Sequence, residues 1–450
     1  MNTTNSMSRL NLFIMLPLFV LAIDLFTPYL ITNDIIPAEI RWFSHVAIAI
    51  MIFLAILQMF VMNHIPRVVW IILAVTIVWS YVALGHGQGV PATFWGVWLL
   101  LQFLLVGLFA YLQPNPPTQL PVKIQKYALI LLSVQVIFQL FQYASGEDTG
   151  DNLAGLFGNG GTGIALVFAD MVYCLFLGYW IMSRRWVGLL ASLVLGLISC
   201  TLGDVKVFPY TILIPGLVAI AIYAIKYHAL GNALVILCFI AAAFLGFMIL
   251  YNSIIPSAER LPVQAYLTDP AKLYEYLYSS RSGYDSGGER YSDLGRMSAV
   301  EVGWKSLQAD PVTFLFGYGL GARSESRTWG TSGVALSSGA FGWSVGTSLL
   351  ILMQELGLVG ILLLACIILW IIISQAHDIR LLPHSPSNNL RFAIVLFSLL
   401  LPFMLWYNNI WGMRVPMFIY WYLIGYVLAE SRVLPSRAQE PVFEIIGQKA

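Results

Sequence analysis

Residues 279–304 of the chain read SSRSGYDSGGERYSDLGRMSAVEVGW, and they lie inside a long polar segment, 253–344. This segment holds 8 of the 23 lysine and arginine residues, and no other stretch of this length in the sequence is as polar. The 450-residue chain as a whole is 59% hydrophobic and 10% charged, whereas a soluble domain is about 25% charged. The contrast between one polar segment and its apolar surroundings decides the fold.

The surrounding apolar runs predict an all-α, polytopic integral membrane protein. They recur at about the 20-residue length that crosses a bilayer. About 12 transmembrane helices are predicted, nine in 1–252 and three in 345–431, with a tail at 432–450. Their predicted positions are 10–32, 43–62, 67–84, 93–113, 124–143, 162–183, 186–202, 206–226, 231–252, 345–374, 390–408 and 411–431.

The charges in the short loops predict an orientation. If the N-terminus is cytoplasmic, twelve lysine and arginine residues fall on the cytoplasmic side, and only Arg41, Lys206 and Arg414 fall in short outer loops. Cytoplasmic loops of membrane proteins carry an excess of these residues. The polar segment is therefore expected outside the cytoplasm, which in a bacterium is the periplasmic face of the cytoplasmic (inner) membrane.

The composition also indicates which kinds of ligand and metal site to expect. The net charge of +1 gives no indication of a nucleic-acid partner, and the four cysteines lie in apolar segments without a CxxC pair, so no zinc or disulfide site is predicted. Asp34 and Glu39 form the one short-range acidic pair in an outer loop that could bind a metal ion. A metal-independent reaction without a cofactor is favoured, and a metal site at this pair stays an alternative.

Ionisable residues inside a membrane are costly and are functional candidates by default. Asp24, Asp170, Glu355 and Arg414 fall in the predicted outer half or near the midplane, and Lys206 follows Asp204 at the outer start of the eighth predicted helix. They predict either a shared cavity that opens outward or mutual ion pairs that hold helices together.

Arginine in the polar segment is the main candidate for anion binding. Arg296 begins a predicted helix at 294–308, capped by Asp293, and Arg323 follows a glycine-rich turn. A guanidinium can bind two phosphate oxygens in one plane. A phosphate or diphosphate site is predicted, and the alternative is a solvated surface arginine. The apolar stripe predicted for this helix, at the membrane surface or on the helix bundle, comprises Met297, Val300, Trp304 and Leu307.

Two glycine-rich stretches are the remaining candidates for functional sites. The first, 155–162, reads GLFGNGGT and precedes the sixth predicted helix, whose free N–H groups favour anions near Gly158 and Thr162; the alternative is a flexible loop. The second, 316–321, reads FGYGLG. No strand precedes it, so it is not predicted to bind a nucleotide. A close backbone turn near a substrate or a helix is predicted instead.

The order of these motifs resembles the O-antigen ligase and polymerase superfamily, and in particular its exopolysaccharide polymerase branch. The matching stretches are GLFGNGGTG at 155–163, GDVKVFPYTILIP at 203–215, GRMSAVEVGW at 295–304, FGYGLGARSES at 316–326 and QELGLVG at 354–360. The resemblance covers about 150–375, and the first five helices match by hydropathy alone. It implies a GT-C-like architecture with one large periplasmic loop.

The resemblance implies a glycosyltransferase whose donor is a glycan linked to undecaprenyl diphosphate. A hydroxyl of a second glycan attacks the anomeric carbon, and the lipid diphosphate leaves. The expected catalytic residues are Arg296 and Lys206, which match cationic positions of the family, and Glu355, which lies in its E-x-G segment. The expected substrate-binding residues are Arg323, Arg414, Asp204, Gly158, Thr162 and Trp304, and a flippase and a chain-length regulator are possible partners.

One departure favours polymerase over ligase. Ligases of the family carry a histidine about nine residues before the glutamate of the E-x-G segment, where this chain has Gly346 and Thr347. Three alternatives stay open: ligase-type transfer of glycan to an acceptor, a metal-dependent glycosyltransferase that uses Asp34 and Glu39, and a secondary transporter. A transporter would explain the intramembrane carboxylates but not a polar segment of 92 residues.

Overall fold

The protein is a helical, multi-pass membrane protein. The computed structural model describes residues 4–63, 65–114, 116–117, 119–222, 224, 230–254, 268–278, 281–284, 290–293, 295–308, 310–323, 325–326, 331–334, 347–381 and 387–438. Among these residues, nine helices are long and apolar enough to cross a membrane. The predicted fold class is confirmed to that extent, and the count of twelve spanning helices stays a prediction.

The helices follow the predicted order. The first ten elements are α1 Thr4–Thr32, α2 Arg41–Met62, α3 Arg67–Gly85, α4 Val90–Tyr111, α5 Leu120–Ala144, α6 Thr162–Ser183, α7 Val187–Leu202, α8 Phe208–Thr211, α9 Leu213–Ala221 and α10 Leu230–Ile254. The last three are α14 Ser348–Leu381, α15 Asn388–Tyr407 and α16 Arg414–Ala438. Helix α6 lies at the centre, because almost all of its residues are buried, chiefly by α7 and α15.

Three helices near and after the polar segment differ from prediction in ways that matter for the architecture. The eighth predicted helix is two pieces, α8 and α9, because Pro215 has no N–H to donate to the carbonyl of Thr211. Helix α14 runs beyond the predicted end at 374 to Leu381. Helix α16 continues to Ala438, so the predicted tail begins as helix.

The described parts of the polar segment contain short helices and two hairpins. The helices are α11 Pro270–Tyr278, α12 Arg296–Leu307 and α13 Pro311–Phe316, and the hairpins pair β1 Arg281–Tyr284 with β2 Arg290–Asp293 and β3 Glu325–Ser326 with β4 Thr331–Ser332. The hairpins were not predicted. The predicted cap at Asp293 is wrong, because Asp293 ends β2 opposite Arg281 and Gly295 precedes α12.

Asp310 begins α13 with a side-chain cap. Its Oδ1 atom accepts hydrogen bonds from the N–H groups of Val312 and Thr313, both at 2.9 Å. The hydroxyl of Thr313 donates to Oδ2 at 2.5 Å. This hydroxyl is the main reason why the pKa of Asp310 lies below its usual value, since hydrogen bonds to a carboxylate favour its charged form.

Helix α12 packs on α14 through small residues. Its buried face comprises Ala299, Gly303, Ser306 and Leu307. A methyl group at Gly303 would lie 2.9 Å from the side chain of Leu350 on α14. Of the predicted stripe, only Leu307 belongs to this face, and Trp304 is 43% exposed. The alternative in which the stripe packs on the bundle is therefore wrong, and the alternative at the membrane surface stays a prediction.

A break inside α14 is held by the glycine loop 316–321. Gly357 departs from helical geometry with φ 62° and ψ −166°. The break leaves carbonyls without helical partners, and the glycine loop supplies new ones. The N–H of Tyr318 donates to the carbonyl of Gln354 at 2.7 Å, and the N–H of Gly319 donates to the carbonyl of Glu355 at 3.1 Å. The indole of Trp79 on α3 donates to Leu356 at 3.0 Å. Buried backbone groups need such partners, so the break and the loop form one unit.

The glycines of this loop make its close packing possible. A methyl group at Gly317 (φ +71°) would lie 2.6 Å from the carbonyl oxygen of Gln354, and one at Gly321 (φ +86°) would lie 2.2 Å from that of Ala92 on α4. The loop is thus wedged between α14 and the α3–α4 pair. The predicted close backbone turn is confirmed, with helices as its neighbours.

At the opposite end of the bundle, Arg391 joins α14, α15 and α16. Its side chain is fully buried and donates to Glu430 Oε2 at 2.9 Å, to Ser431 Oγ at 2.8 Å and to the Val427 carbonyl at 3.1 Å. Asp378 on α14 lies 3.9 Å from its Nε atom. Removing one partner from a buried pair costs about 3–5 kcal/mol, so this charge is structural.

Substitution of Gly317 by alanine should destabilise the protein. The left-handed backbone alone costs about 1–3 kcal/mol for a residue with a side chain, and the added methyl group collides with the α14 backbone. Gly231→Ala is the matched control, because a methyl group there meets nothing within 4 Å. Thermal unfolding of purified protein should show a lower midpoint for Gly317→Ala only. Equal midpoints for the two variants would contradict the close packing of the glycine loop between α14 and the α3–α4 pair.

Candidate functional site

The candidate site lies where the polar segment meets the helix bundle. Helices α11 and α12 are joined tightly: the hydroxyl of Ser298 donates to the carbonyl of Tyr278 at 2.8 Å. A methyl group at Gly295 would lie 2.4 Å from the carbonyl oxygen of Leu277. This close approach fixes the start of α12, and with it the position of Arg296, beside α11.

The guanidinium of Arg296 packs between two tyrosine rings. Its Cζ atom lies 5.1 Å from the ring centre of Tyr276 on α11 and 5.0 Å from that of Tyr407 at the end of α15. The two tyrosine hydroxyls are hydrogen-bonded to each other at 2.9 Å. Arg296 forms no ion pair or hydrogen bond with any residue that the structure describes. Aromatic faces thus hold this cation and leave its planar N–H groups for another partner.

A second cation lies beside Asp204 in the turn between α7 and α8. The Nζ atom of Lys206 is 3.6 Å from Asp204 Oδ1 and 5.9 Å from the ring centre of Tyr251 on α10. The hydroxyl of Tyr251 donates to the same carboxylate oxygen at 2.5 Å. Asp204 has a left-handed backbone with φ 54°. This turn therefore points a lysine and a carboxylate toward α10.

Tyr407 connects the two cations. It contacts Arg296 directly, and the carboxylate of Asp204 lies within electrostatic range of its hydroxyl. The structure therefore relates three predicted site residues to Tyr407: Arg296 by direct contact, Asp204 by electrostatic interaction, and Lys206 through its pairing with Asp204. Two cations, one carboxylate and several tyrosine hydroxyls can bind an anionic group together with a hydroxyl-bearing one.

Arg323 and Glu355 lie with the glycine loop. The N–H of Arg323 donates to Glu355 Oε1 at 2.9 Å, and both residues are buried. Burial lowers the pKa of the Arg323 guanidinium, and the charge of Glu355 opposes that shift. This contact joins the backbone of the loop to the broken part of α14 through the Glu355 side chain, and the Arg323 guanidinium lies buried at the same junction.

Arg414 forms an ion pair with Asp24. Its Nε atom lies 3.1 Å from Asp24 Oδ2, and its other nitrogens contact the hydroxyl of Ser44 and, at 2.6 Å, the Nε2 atom of His45. The indole of Trp98 donates to His45 Nδ1 at 2.9 Å. Of the two predicted alternatives for these residues, the observed arrangement is the ion pair that holds α1, α2 and α16 together.

Two other predicted residues also contact neighbouring helices. Asp170 is fully buried in α6 and forms a 2.7 Å hydrogen bond with the hydroxyl of Thr211 on α8. Trp304 packs edge-to-face on Phe314 of α13 at 5.6 Å. The ion pair of Asp24 accounts structurally for one carboxylate on which the transporter alternative depends, whereas the Thr211 hydroxyl satisfies only the Oδ1 atom of Asp170.

The loop around Gly158 is fixed by glutamines of α5. Gln135 accepts from the N–H of Leu156 at 2.8 Å and donates to the carbonyl of Ala154 at 2.8 Å. Gln139 donates to the carbonyl of Leu153 at 2.7 Å, and Gln142 accepts from the N–H of Gly155 at 2.8 Å. These glutamines fix the backbone of the loop. The structure therefore differs from the predicted alternative of a flexible loop.

The predicted anion site at the start of α6 holds a carboxylate of the chain itself. The hydroxyl of Thr162 donates to Asp151 Oδ1 at 2.7 Å. A methyl group at Gly158 would lie 2.7 Å from the Thr32 hydroxyl oxygen at the end of α1. Gly158 is therefore a packing position against α1, and Thr162 is bonded to Asp151.

Among the described residues, no group of three or more histidine, cysteine, aspartate or glutamate side chains converges to bind a metal ion. Asp34 and Glu39 are described, and neither belongs to such a group. Gly346, which stands near the histidine position of ligases, lies outside the described residues. Thr347 is buried and accepts a hydrogen bond from the N–H of Leu350 at 3.3 Å at the start of α14.

No protein-family model matches the chain, and a search of curated proteins also finds no match. The family resemblance therefore rests on the motifs quoted above.

Sequence analysis missed the tyrosines that organise the site. None of Tyr251, Tyr276 and Tyr407 is among the predicted site residues, and Tyr251 and Tyr407 fall within the predicted helices 231–252 and 390–408. Tyr407 did carry a signal, because Asn408 and Asn409 follow it between two apolar helices. A polar pair at a helix end marks a turn whose backbone needs partners, and Ser348 N–H donates to the Asn408 carbonyl at 3.0 Å.

Proposed function

We propose that the protein is a glycosyltransferase that polymerises oligosaccharide repeat units carried on undecaprenyl diphosphate into a surface polysaccharide. The observation that carries this proposal is the guanidinium of Arg296, which is fixed between Tyr276 and Tyr407 without an ion pair among the described residues. The motif resemblance supports it independently. Ligase-type transfer uses the same donor and differs in its acceptor.

In this proposal the diphosphate of the donor binds between Arg296 and Lys206. A hydroxyl of the acceptor glycan attacks the anomeric carbon, a new C–O bond forms, and the bond to the diphosphate breaks. The lipid diphosphate leaves with the electron pair of that bond. The proton of the attacking hydroxyl passes to the carboxylate of Asp204, which lies 3.6 Å from the Lys206 ammonium, and then to solvent.

The two cations act on the charge that develops as the diphosphate leaves. Preorganised charges in a site with little water stabilise such a transition state more strongly than water does. The tyrosine rings hold the guanidinium in place before the donor arrives, so little reorganisation is needed. Arg296 is assigned the main contribution because its fork of N–H groups matches two phosphate oxygens, and Lys206 adds a point charge.

The same proposal places the protein in the bacterial inner membrane with its site on the periplasmic face. The positive-inside distribution supports this orientation. A flippase would deliver the lipid-linked units to that face, and a chain-length regulator is an expected partner.

The orientation can be tested with a thiol reagent that does not cross membranes. Cysteine should react from outside intact cells when it replaces Glu301, which is exposed on α12, and should not react when it replaces Arg184 at the other end of the bundle. Both substitutions belong in a background in which the four native cysteines are replaced by serine or alanine. Protection of the Glu301→Cys variant until lysis would refute the orientation and the mechanism.

Replacement of Arg296 by alanine should abolish polymer formation. Loss of one preorganised donor typically costs a factor of about 100–1,000 in rate, and Arg296→Lys should retain a small part of the activity because lysine lacks the planar fork. The measurement is polymer length on a gel at matched expression, with lipid-linked single repeat units quantified in parallel.

Lys305→Ala is the matched control, because Lys305 lies exposed on the same helix. The Arg296→Ala variant should accumulate lipid-linked repeat units, and the control should not. Normal polymer from Arg296→Ala would overturn the proposed function.

Replacement of Lys206 by alanine should also remove polymer while the protein still inserts normally. The competing explanation is that Lys206 only pairs with Asp204. The activity of Lys206→Ala separates the two, and Lys206→Arg, which keeps the positive charge near Asp204 and near the donor, is the conservative comparison. We expect partial activity from Lys206→Arg and none from Lys206→Ala. Full activity from Lys206→Ala would reduce this residue to a structural partner.

A further inference from the structure

A polar cavity of about 360 Å³ opens at the same end of the bundle as the candidate site. It lies between the end of α1, the end of α5 and the loop that follows α5. Small-molecule sites commonly measure about 300–1,000 Å³. The lining side chains that carry the argument are Tyr29, Asn33, Glu147, Asp148, Asn152 and Asn159.

The rim of this cavity offers polar groups that the fold does not use. Within the described part of the chain, the side chains of Asn152, Asn159, Glu147 and Asp148 form no hydrogen bond or ion pair. The base is different: Gln142 also lines the cavity, and its amide is engaged with the loop backbone at Gly155. A fixed base and an uncommitted polar rim are what a preformed binding site requires.

The charges of the cavity select against phosphate. Its lining includes two carboxylates and neither lysine nor arginine. A ligand that suits it is uncharged or weakly cationic and rich in hydroxyl groups, because amides both donate and accept hydrogen bonds and carboxylates accept them. The ring of Tyr29, held edge-to-face on Phe138 at 5.0 Å, adds an apolar face with a polar tip. Sugar units match this combination.

The cavity adjoins the cationic site through shared backbone. Gly150 N–H, in the loop that lines the cavity, donates to the carbonyl of Leu202 at 3.2 Å, two residues before Asp204. The start of α6 lies on the other side of that loop. There, a methyl group at Gly163 would lie 2.2 Å from the amide nitrogen of Asn408, which follows Tyr407. One short stretch of the chain thus borders both sites.

We propose that this cavity is a glycan-binding subsite that holds sugar units of the substrate, while the cationic site holds the diphosphate. The proposal rests on the proposed function and adds the place where the sugars bind. It assigns Asn152 and Asn159 as the residues that bind hydroxyl or acetamido groups. The division also separates the two halves of the substrate by charge: acidic residues meet the sugars, and basic residues meet the diphosphate.

The test measures binding of two separate probes to the full-length protein in lipid nanodiscs. One probe is the set of oligosaccharides released by mild acid from the surface polysaccharide of the producing bacterium, and the other is undecaprenyl diphosphate without sugar. The double variant Asn152→Ala/Asn159→Ala should weaken oligosaccharide binding by about tenfold or more and leave binding of undecaprenyl diphosphate unchanged. Gln119→Ala, exposed at the opposite end of the bundle, is the control and should bind both probes normally.

Three results would overturn the subsite. Wild-type protein that fails to bind the oligosaccharides would do so, and so would equal binding by wild type and the double variant. Binding that requires added Ca²⁺ and disappears with a chelator would instead identify a cation site at the two carboxylates. Failure of the proposed function looks different, because it appears as normal polymer from Arg296→Ala whatever the oligosaccharides do.

Discussion

Backbone groups away from water must find partners inside the protein, and this constraint shapes the end of the bundle where the candidate site lies. Two irregular stretches run against the spanning helices there. The loop after α5 is held by Gln135, Gln139 and Gln142, and the break in α14 is closed by the glycine loop and Trp79. Irregular backbone can exist at this depth because the glutamines, the glycine loop and Trp79 supply hydrogen-bond partners for its amides and carbonyls.

The second organising feature is a cation that aromatic rings hold in place of a carboxylate. A carboxylate partner would neutralise Arg296 and would compete with any anionic ligand. Faces of Tyr276 and Tyr407 stabilise the positive charge by about 0.5–2 kcal/mol without consuming its hydrogen-bond donors. Arg414 is the contrasting case, since its ion pair with Asp24 commits it to the fold. The same residue type thus serves binding in one place and assembly in another.

Much of the fold could be predicted because transmembrane length and hydropathy are local properties of the sequence. The broken eighth helix, the hairpins of the polar segment and the buried face of α12 could not, since they depend on proline geometry and on contacts with distant helices. Among the site residues, Arg296, Lys206 and Asp204 were predicted and converge. Glu355 and Arg414 were also predicted, but the contacts described for them join the loop to α14 and α1 to α16, and spacing along the chain does not reveal which partner a charge will meet.

The glutamines of α5 hold the loop through its backbone atoms, so the frame of the cavity does not depend on the side chains of Asn152 and Asn159. The side chains of these two asparagines form no part of that frame. Selection can therefore replace the rim without loosening the scaffold. In the proposed subsite, substitutions at these two positions would alter which ligands bind while the backbone of the loop stays the same, so specificity there can change at little cost to stability.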